Sequence, residues 1–389
     1  MRTFSSKLFL LLAAATFALT ACGGDDTPAD GGQPTVVVTT NILGDVVRQV
    51  AGDQVTVETI MPAGADPHVF QASAKQVDLM MKADLLVSNG EDFEERLIDV
   101  LVSAEEDGVP VFEAMTHVRT LEFDEDSHAG HDDHAGHGDH DDHDDHAGHD
   151  DHDDHAGHDD HDDHDDHAGH DDHDDHAGHD DHDDHDDHAG HDDHAGHDHS
   201  GVDPHFFTDP LQMVAVVEAL VDSMVANLSG IDADQLRASG DSYVQQLQDL
   251  HSEVQEMFEA VPASKRVLVT NHEVFNYFAK QYDFKVVGTV IPSLSTTDSA
   301  SAKQLTELME VIETNNVPAI FADVASSDKL AAMIAEELGD ISVVNLYSES
   351  LGEAGSGAST YLDMLRTNYE QIATALASDG HDDDHDHDH

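Results

Sequence analysis

The chain has 389 residues, enough for two ordinary domains, and sets 84 acidic against 15 basic residues for a formal net charge of −69. That balance excludes nucleic acid or an anionic membrane surface as a partner, since both need an electropositive face, and leaves a cationic ligand as the natural one. Cys22 is the only cysteine, which excludes an internal disulfide framework.

Arg2 and Lys7 precede an apolar run from Leu8 to Ala21 that is too short for an ordinary spanning helix and right for a signal peptide, residues 1–21. It ends in Leu19-Thr20-Ala21-Cys22, which resembles a bacterial lipobox. Cys22 is therefore expected to carry lipid after cleavage, enough to anchor the protein outside the cytoplasm, in the periplasm or on the cell surface. Residues 22–34, rich in Gly, Asp and Pro, read as the lipidated cysteine and its tether.

From Thr35 the pattern alternates. The β-branched run Thr35 to Thr40 predicts a strand, and Ile42, Val46, Val47 and Val50 a helix behind it. Val55 to Met61 reads as strand, Ala74 to Lys82 as helix, Leu85 to Ser88 as strand, Phe93 to Val102 as helix and Val109 to Glu113 as strand. Strands alternating with helices predict a parallel sheet covered on both faces. Pro210 to Asn227 and Ala233 to Phe258 are long helical periods. A second alternation follows: strand Val267 to Val269, helix Val274 to Gln281, strand Val286 to Val290, helix Ala302 to Asn315 and strand Ala319 to Ala322. Helix Lys329 to Leu338, strand Ile341 to Leu346 and helix Tyr361 to Ala377 complete it. The expected fold is α/β, with two parallel-sheet lobes, 35–232 and 262–380, joined by a rigid helix at 233–261.

Ser127 to Ser200 interrupts the first lobe with 25 His and 30 Asp, and no Lys, Arg, Glu or branched aliphatic residue. It offers no apolar surface for a core and is expected to be a disordered loop, 127–200. Subtracting its 30 aspartates from −69 leaves −39 on the rest, so the acidity is general. A solvent-facing adaptation to high salt is the other reading of that remainder. From His128 to His197 a histidine stands at every third position, a layout able to hold several cations weakly; a neutral repeat expansion is the alternative. The same chemistry returns in the tail, 381–389.

Outside tract and tail only His68, His117, His205, His251 and His272 remain. His68 follows Asp66-Pro67, His205 follows Asp203-Pro204, and His272 follows a predicted strand beside Asn271, a candidate helix cap. Proline before the first two fixes φ and pre-places the histidine. The aspartate two residues ahead is positioned to accept from the imidazole nitrogen that faces away from a metal. Open α/β sheets bind ligands beyond the carboxyl ends of their strands, where these three histidines fall, and neutral imidazoles suit Zn(II) better than Mg(II) or Ca(II). His251 lies in the long helix and reads as an exposed polar-face residue, while His117 matches no ligand pattern.

Six stretches make this pattern specific: Met61 to His68, Asn89 to Glu94, Asp203 to Phe206, Thr270 to Phe278, Phe321 to Asp323 and Leu346 to Gly352. With them the chain resembles the ZnuA/TroA-like binding proteins that serve zinc and manganese ABC importers. The resemblance implies one metal bound between two similar lobes by His68, His205 and His272, with the fourth position, usually aspartate, falling on Glu349. The extra methylene of glutamate leaves both direct ligation and ligation through a water open. The third position is histidine in many zinc binders of the family and glutamate in many manganese binders. Asp323 replaces a common glutamate and could support a histidine or cap the next helix.

The function expected is high-affinity extracytoplasmic capture of Zn(II), as cargo, for an ABC importer permease in the inner membrane, by a monomer anchored through Cys22 and without a nucleic-acid partner. The alternatives are a manganese receptor of the same family, a zinc-buffering or adhesive surface lipoprotein, and a zinc-dependent hydrolase. The last lacks a His-Glu-x-x-His helix, a Gly-x-Ser-x-Gly elbow or a P-loop, and no enzyme is expected.

Overall fold

A computed structural model describes residues 32–123 and 201–377. The signal peptide, the lipidation expected at Cys22, the His/Asp tract and the acidic tail lie outside the described residues.

The first sheet is built from four short runs of three or four residues. β1 (Thr35–Val38) is flanked by β2 (Thr56–Thr59) and β3 (Leu85–Ser88), with β4 (Val111–Glu113) beyond β3, all parallel. Val36, Val37 and Val38 are wholly buried because a central parallel strand is covered on both faces. α1 (Asn41–Ala51) opens on Thr40, whose hydroxyl accepts from the Leu43 amide, and α2 (Ala74–Met80) opens on a reciprocal cap between Ser73 and Gln76. α3 spans Ile98–Glu106 and begins later than the periodicity from Phe93 predicts. The intervening Gly90, Glu91 and Asp92 all have positive φ, and the Glu94 carboxylate accepts from the Asn89 and Gly90 amides and from Thr39 Oγ1. Those bonds fix the turn after β3, and residues 93–97 continue it with three-residue turns, the Phe93 amide donating to the Gly90 carbonyl and the Leu97 amide to the Glu94 carbonyl.

Two two-residue strands, β5 (Glu122–Phe123) and β6 (Gly201–Val202), pair antiparallel where the chain leaves and re-enters the described residues. They are too short to show a period and were not expected from the sequence. α4 (Pro210–Asn227), capped by Asp209 with proline at its first position, packs along α5 (Ala233–Glu259), so the connection between the sheets is a helical pair. Gly240 permits the close approach, since a Cβ there would meet Val221 Cγ2 at 2.6 Å.

The second sheet repeats the plan. β7 (Val267–Thr270) and β9 (Ala319–Asp323) are central, with β8 (Lys285–Thr289) outside β7 and β10 (Ser342–Leu346) outside β9, all parallel. Its helices are α6 (Asn276–Tyr282), α7 (Ala302–Asn315), α8 (Lys329–Leu338) and α9 (Tyr361–Ala377). Asn271 does not cap α6, which starts five positions on; its side chain donates to Ser326 Oγ. Each sheet reverses its strand order once, between β1 and β3 and between β7 and β9, and such switch points open a crevice at the carboxyl edge.

Each lobe has a small apolar cluster of its own, around Val37, Ile60 and Leu86 in one and Val269, Ile320 and Ile334 in the other. The largest cluster belongs to neither. It runs from Val36 and Ile42 through Phe206, Leu247 and Phe258 to Phe278, Tyr361 and Tyr369. Tyr361 and Tyr369, on the last helix, donate to the carbonyls of Phe207 and Thr208, and Asp45 accepts from the Tyr361 amide.

Candidate metal centre

Four side chains distant in sequence meet at the facing carboxyl edges of the two sheets. His68 comes from the loop after β2, His205 from the turn after β6, His272 from just past β7 and Glu349 from just past β10. All four are buried, and one potential ligand atom from each lies within 4.8 Å of the others. Glu349 Oε1 is 2.8 Å from His68 Nε2, 3.1 Å from His272 Nε2 and 3.3 Å from His205 Nε2. The last distance is within ion-pair range but lacks hydrogen-bond geometry, and His205 Nε2 and Glu349 Oε2 have no hydrogen-bond partner. Three imidazole nitrogens turned toward one carboxylate, with buried polar atoms unsatisfied, form a donor set that fits a divalent transition cation.

Each first-lobe histidine is held from behind by a carboxylate. Asp203 Oδ1 accepts from His205 Nδ1 at 2.7 Å and from the His205 amide at 2.9 Å, the role expected for the aspartate two residues ahead. At His68 the expectation fails. Asp66 takes only the backbone amide, and Nδ1 faces Glu95 Oε1 at 3.1 Å. Glu95 stands 27 positions away, and only the loop after β3 brings it there. Phe93 meets the rings of both His68 and His205 edge-on at 5.3 and 5.6 Å between centroids, fixing the gap between them. Asn89 Nδ2 donates to the Pro204 carbonyl and so sets the turn that carries His205.

Charge follows from this geometry. Burial alone would lower His68; the Glu349 carboxylate, with Glu95 and Asp66, outweighs it and holds the imidazole up at about 10. Burial opposes protonation of His205 too, but Asp203 and Glu349 raise it. His272 is lowered, by burial and by the other two imidazoles, despite Glu349. Burial would raise Glu349, but the imidazoles hold it well below the usual carboxylate range. Asp323 accepts from Ser348 Oγ and the Ala325 amide, and burial, with Glu349 nearby, pushes it up to about 8. It braces the loop that bears Glu349, whereas α8 begins after Asp328.

Among the described residues the other two histidines lie elsewhere. His117 stacks on Phe112 at 5.0 Å. His251 is partly buried rather than exposed, with Nδ1 3.2 Å from Tyr282 Oη, and burial lowers its pKa.

Residues 36–375 match the family described as zinc-uptake complex component A, periplasmic. The chain is 26% identical over 371 residues to the manganese-binding lipoprotein MntA of Bacillus subtilis (strain 168), spanning 93% of this chain and 96% of that one. It is 25% identical over 370 residues to the zinc-binding protein TroA of Treponema pallidum (strain Nichols), spanning 92% and 93%. The solved structure of the Treponema pallidum protein superposes with a TM-score of 0.65 at 24% identity, covering 89% of this chain and all of that one, which bears on the fold alone.

Proposed function

The chain belongs to the family of periplasmic zinc-uptake components, and from that premise we propose that His68, His205, His272 and Glu349 together hold the cation it receives. Members of this family are extracytoplasmic solute-binding receptors of ABC importers, so the chain is a metal-binding receptor and not a hydrolytic enzyme. The observation that carries the ligand assignment is the convergence of three Nε2 atoms on Glu349 Oε1 in a buried pocket. The permease of an importer is the partner, and a lipid on Cys22 is the anchor.

Zinc and manganese compete for the cargo role. Likeness leans to manganese, because the Bacillus subtilis relative reported above is named for that ion. The donor set leans to zinc, because imidazole is a borderline-soft ligand and manganese sits at the weak end of the affinity series for any nitrogen and oxygen site. We therefore take the site to accept both ions, holding zinc more tightly, with manganese carried where it is the available ion.

Competition titrations test this on a chain lacking residues 127–200, in which the paired strands β5 and β6 leave the cut ends side by side. One tight site should survive, with zinc bound more tightly than manganese. His272→Glu should lower the zinc preference, by replacing a borderline nitrogen with a charged hard oxygen. An unchanged ratio in that variant would remove His272 from the ligand set. Loss of the tight site with the tract would move the receptor function to the tract itself.

A further inference from the structure

The two histidines of the first lobe are each tied through a carboxylate to the second lobe. Glu95 Oε1 faces His68 Nδ1 and also accepts from Ser295 Oγ at 2.5 Å, across 200 positions of sequence. Ser295 sits in the loop between β8 and α7, whose neighbouring Thr296 hydroxyl donates to Asp66 Oδ2 at 2.7 Å. Asp203 repeats the arrangement. Its Oδ1 holds His205 Nδ1, its Oδ2 accepts from Asn276 Nδ2 at 3.1 Å, and its carbonyl accepts from Tyr277 Oη at 3.0 Å. Asn276 and Tyr277 open α6 of the second lobe. His272 belongs to the second lobe already, and its Nδ1 has no hydrogen-bond partner. The bridges therefore occur where a ligand must be aligned with donors on the opposite lobe.

We propose that Glu95 and Asp203 are positioning residues that make the orientation of His68 and His205 depend on contact with Ser295 and Asn276, so that the cation is held firmly only while the lobes are apposed. This rests on the assignment of those histidines as ligands. An imidazole whose far nitrogen donates to a fixed carboxylate has one tautomer and one ring orientation, and its near nitrogen is a better donor. Here the carboxylate is itself fixed by a hydroxyl or amide from the other lobe. Separating the lobes removes that partner, weakens the constraint on the carboxylate and so loosens the imidazole. By linkage the dependence is mutual: a cation bound through both histidines favours the apposed arrangement as much as apposition favours the cation. Release to a permease then needs only a force that draws the loop after β8 or the start of α6 away, with no ligand displaced directly.

The test is cation release from the full chain. One equivalent of Co(II) reports a four-coordinate site by its visible absorption, and excess chelator gives the release rate in a stopped-flow instrument. Ser295→Ala and Asn276→Ala touch neither a ligand nor its ring. Each should accelerate release by up to about 10-fold, the low end of the range for losing a metal-bound histidine's own hydrogen-bond partner, because each acts one contact further out. Ser295→Thr, which keeps the hydroxyl, should return the rate toward that of the unaltered chain, which a general packing role for Ser295 would not produce. Two independent variants are used so that a failure of one to fold leaves the other to decide. Release unchanged in the folded variants would overturn the proposal while leaving the ligand set intact. Absence of the four-coordinate cobalt spectrum in the unaltered chain would instead sink the ligand assignment.

Discussion

At the residue scale the site is a contest between protons and a cation for the same nitrogens. His68 is held up at about 10 and His205 is raised, so a cation bound through them would have to displace the His68 proton at neutral pH. Affinity should therefore weaken as pH falls below about 10, the value to which His68 is raised. Calorimetry in buffers of different ionisation enthalpy should show net proton release at pH 7; zero release would contradict the raised values. The same shift acts on the cation-free fold. His68 holds its proton up to about 10 folded, against an ordinary value near 6.5, so its stabilising pairing with Glu349 is complete below about 6.5 and is lost as pH rises through about 10. The melting temperature of the cation-free chain should fall between neutral pH and pH 10, and fall less in His68→Gln. Among substitutions at the site, His68→Ala and His205→Ala should each weaken zinc more than Glu349→Ala. Water can occupy the position of a lost carboxylate, whereas a lost imidazole also takes from Glu95 or Asp203 the ring N–H that it accepts. Parallel zinc titrations of the three variants would decide the order.

At the element scale, Gly240 sets how closely α5 lies on α4. Alanine there gains about 1 kcal/mol of helix propensity. Its Cβ, however, would stand 2.6 Å from Val221 Cγ2, and a β-branched side chain in a helix has almost no other rotamer to adopt. Overpacking costs about 1–3 kcal/mol, so Gly240→Ala should destabilise by up to about 2 kcal/mol, read from the denaturant midpoint; a gain in stability would show that Val221 yields. The strands and long helices were legible in the sequence because valine runs and 3.6-residue periods report burial directly. His68, His205 and His272 were legible as candidates from their places after Asp-Pro or a strand, but Glu349 and the meeting of all four were legible only through resemblance, since no spacing within one element brings them together. What escaped the sequence was decided by hydrogen bonds that replace the expected ones. The Leu97 amide, which would have bonded the Phe93 carbonyl in a longer α3, donates to the Glu94 carbonyl instead. Glu95 takes the ring nitrogen that the local Asp66 was expected to hold. Asn271, read as a cap, turns to Ser326.

At the scale of the whole molecule the two sheets repeat one plan, yet their largest apolar cluster is common property. Neither lobe could unfold without exposing residues that the other needs, so cation-free unfolding of the chain should be a single cooperative transition by both circular dichroism and calorimetry. Two resolved transitions would mean that the shared cluster contributes little. A cation at 100 times its dissociation constant should add about 2.7 kcal/mol to stability. The pairing of Glu122–Phe123 with Gly201–Val202 has a consequence of another kind. It sets Phe123 beside Gly201, the residues that flank the 77 numbered 124–200, so the number inserted between them hardly enters the energetics of the rest. Each doubling of a closed loop costs only about 0.6 kcal/mol. Selection can therefore lengthen or prune the repeats of this insertion one triplet at a time, and length variants among sister lineages should share one fold and one receptor site while differing in how much cation they carry.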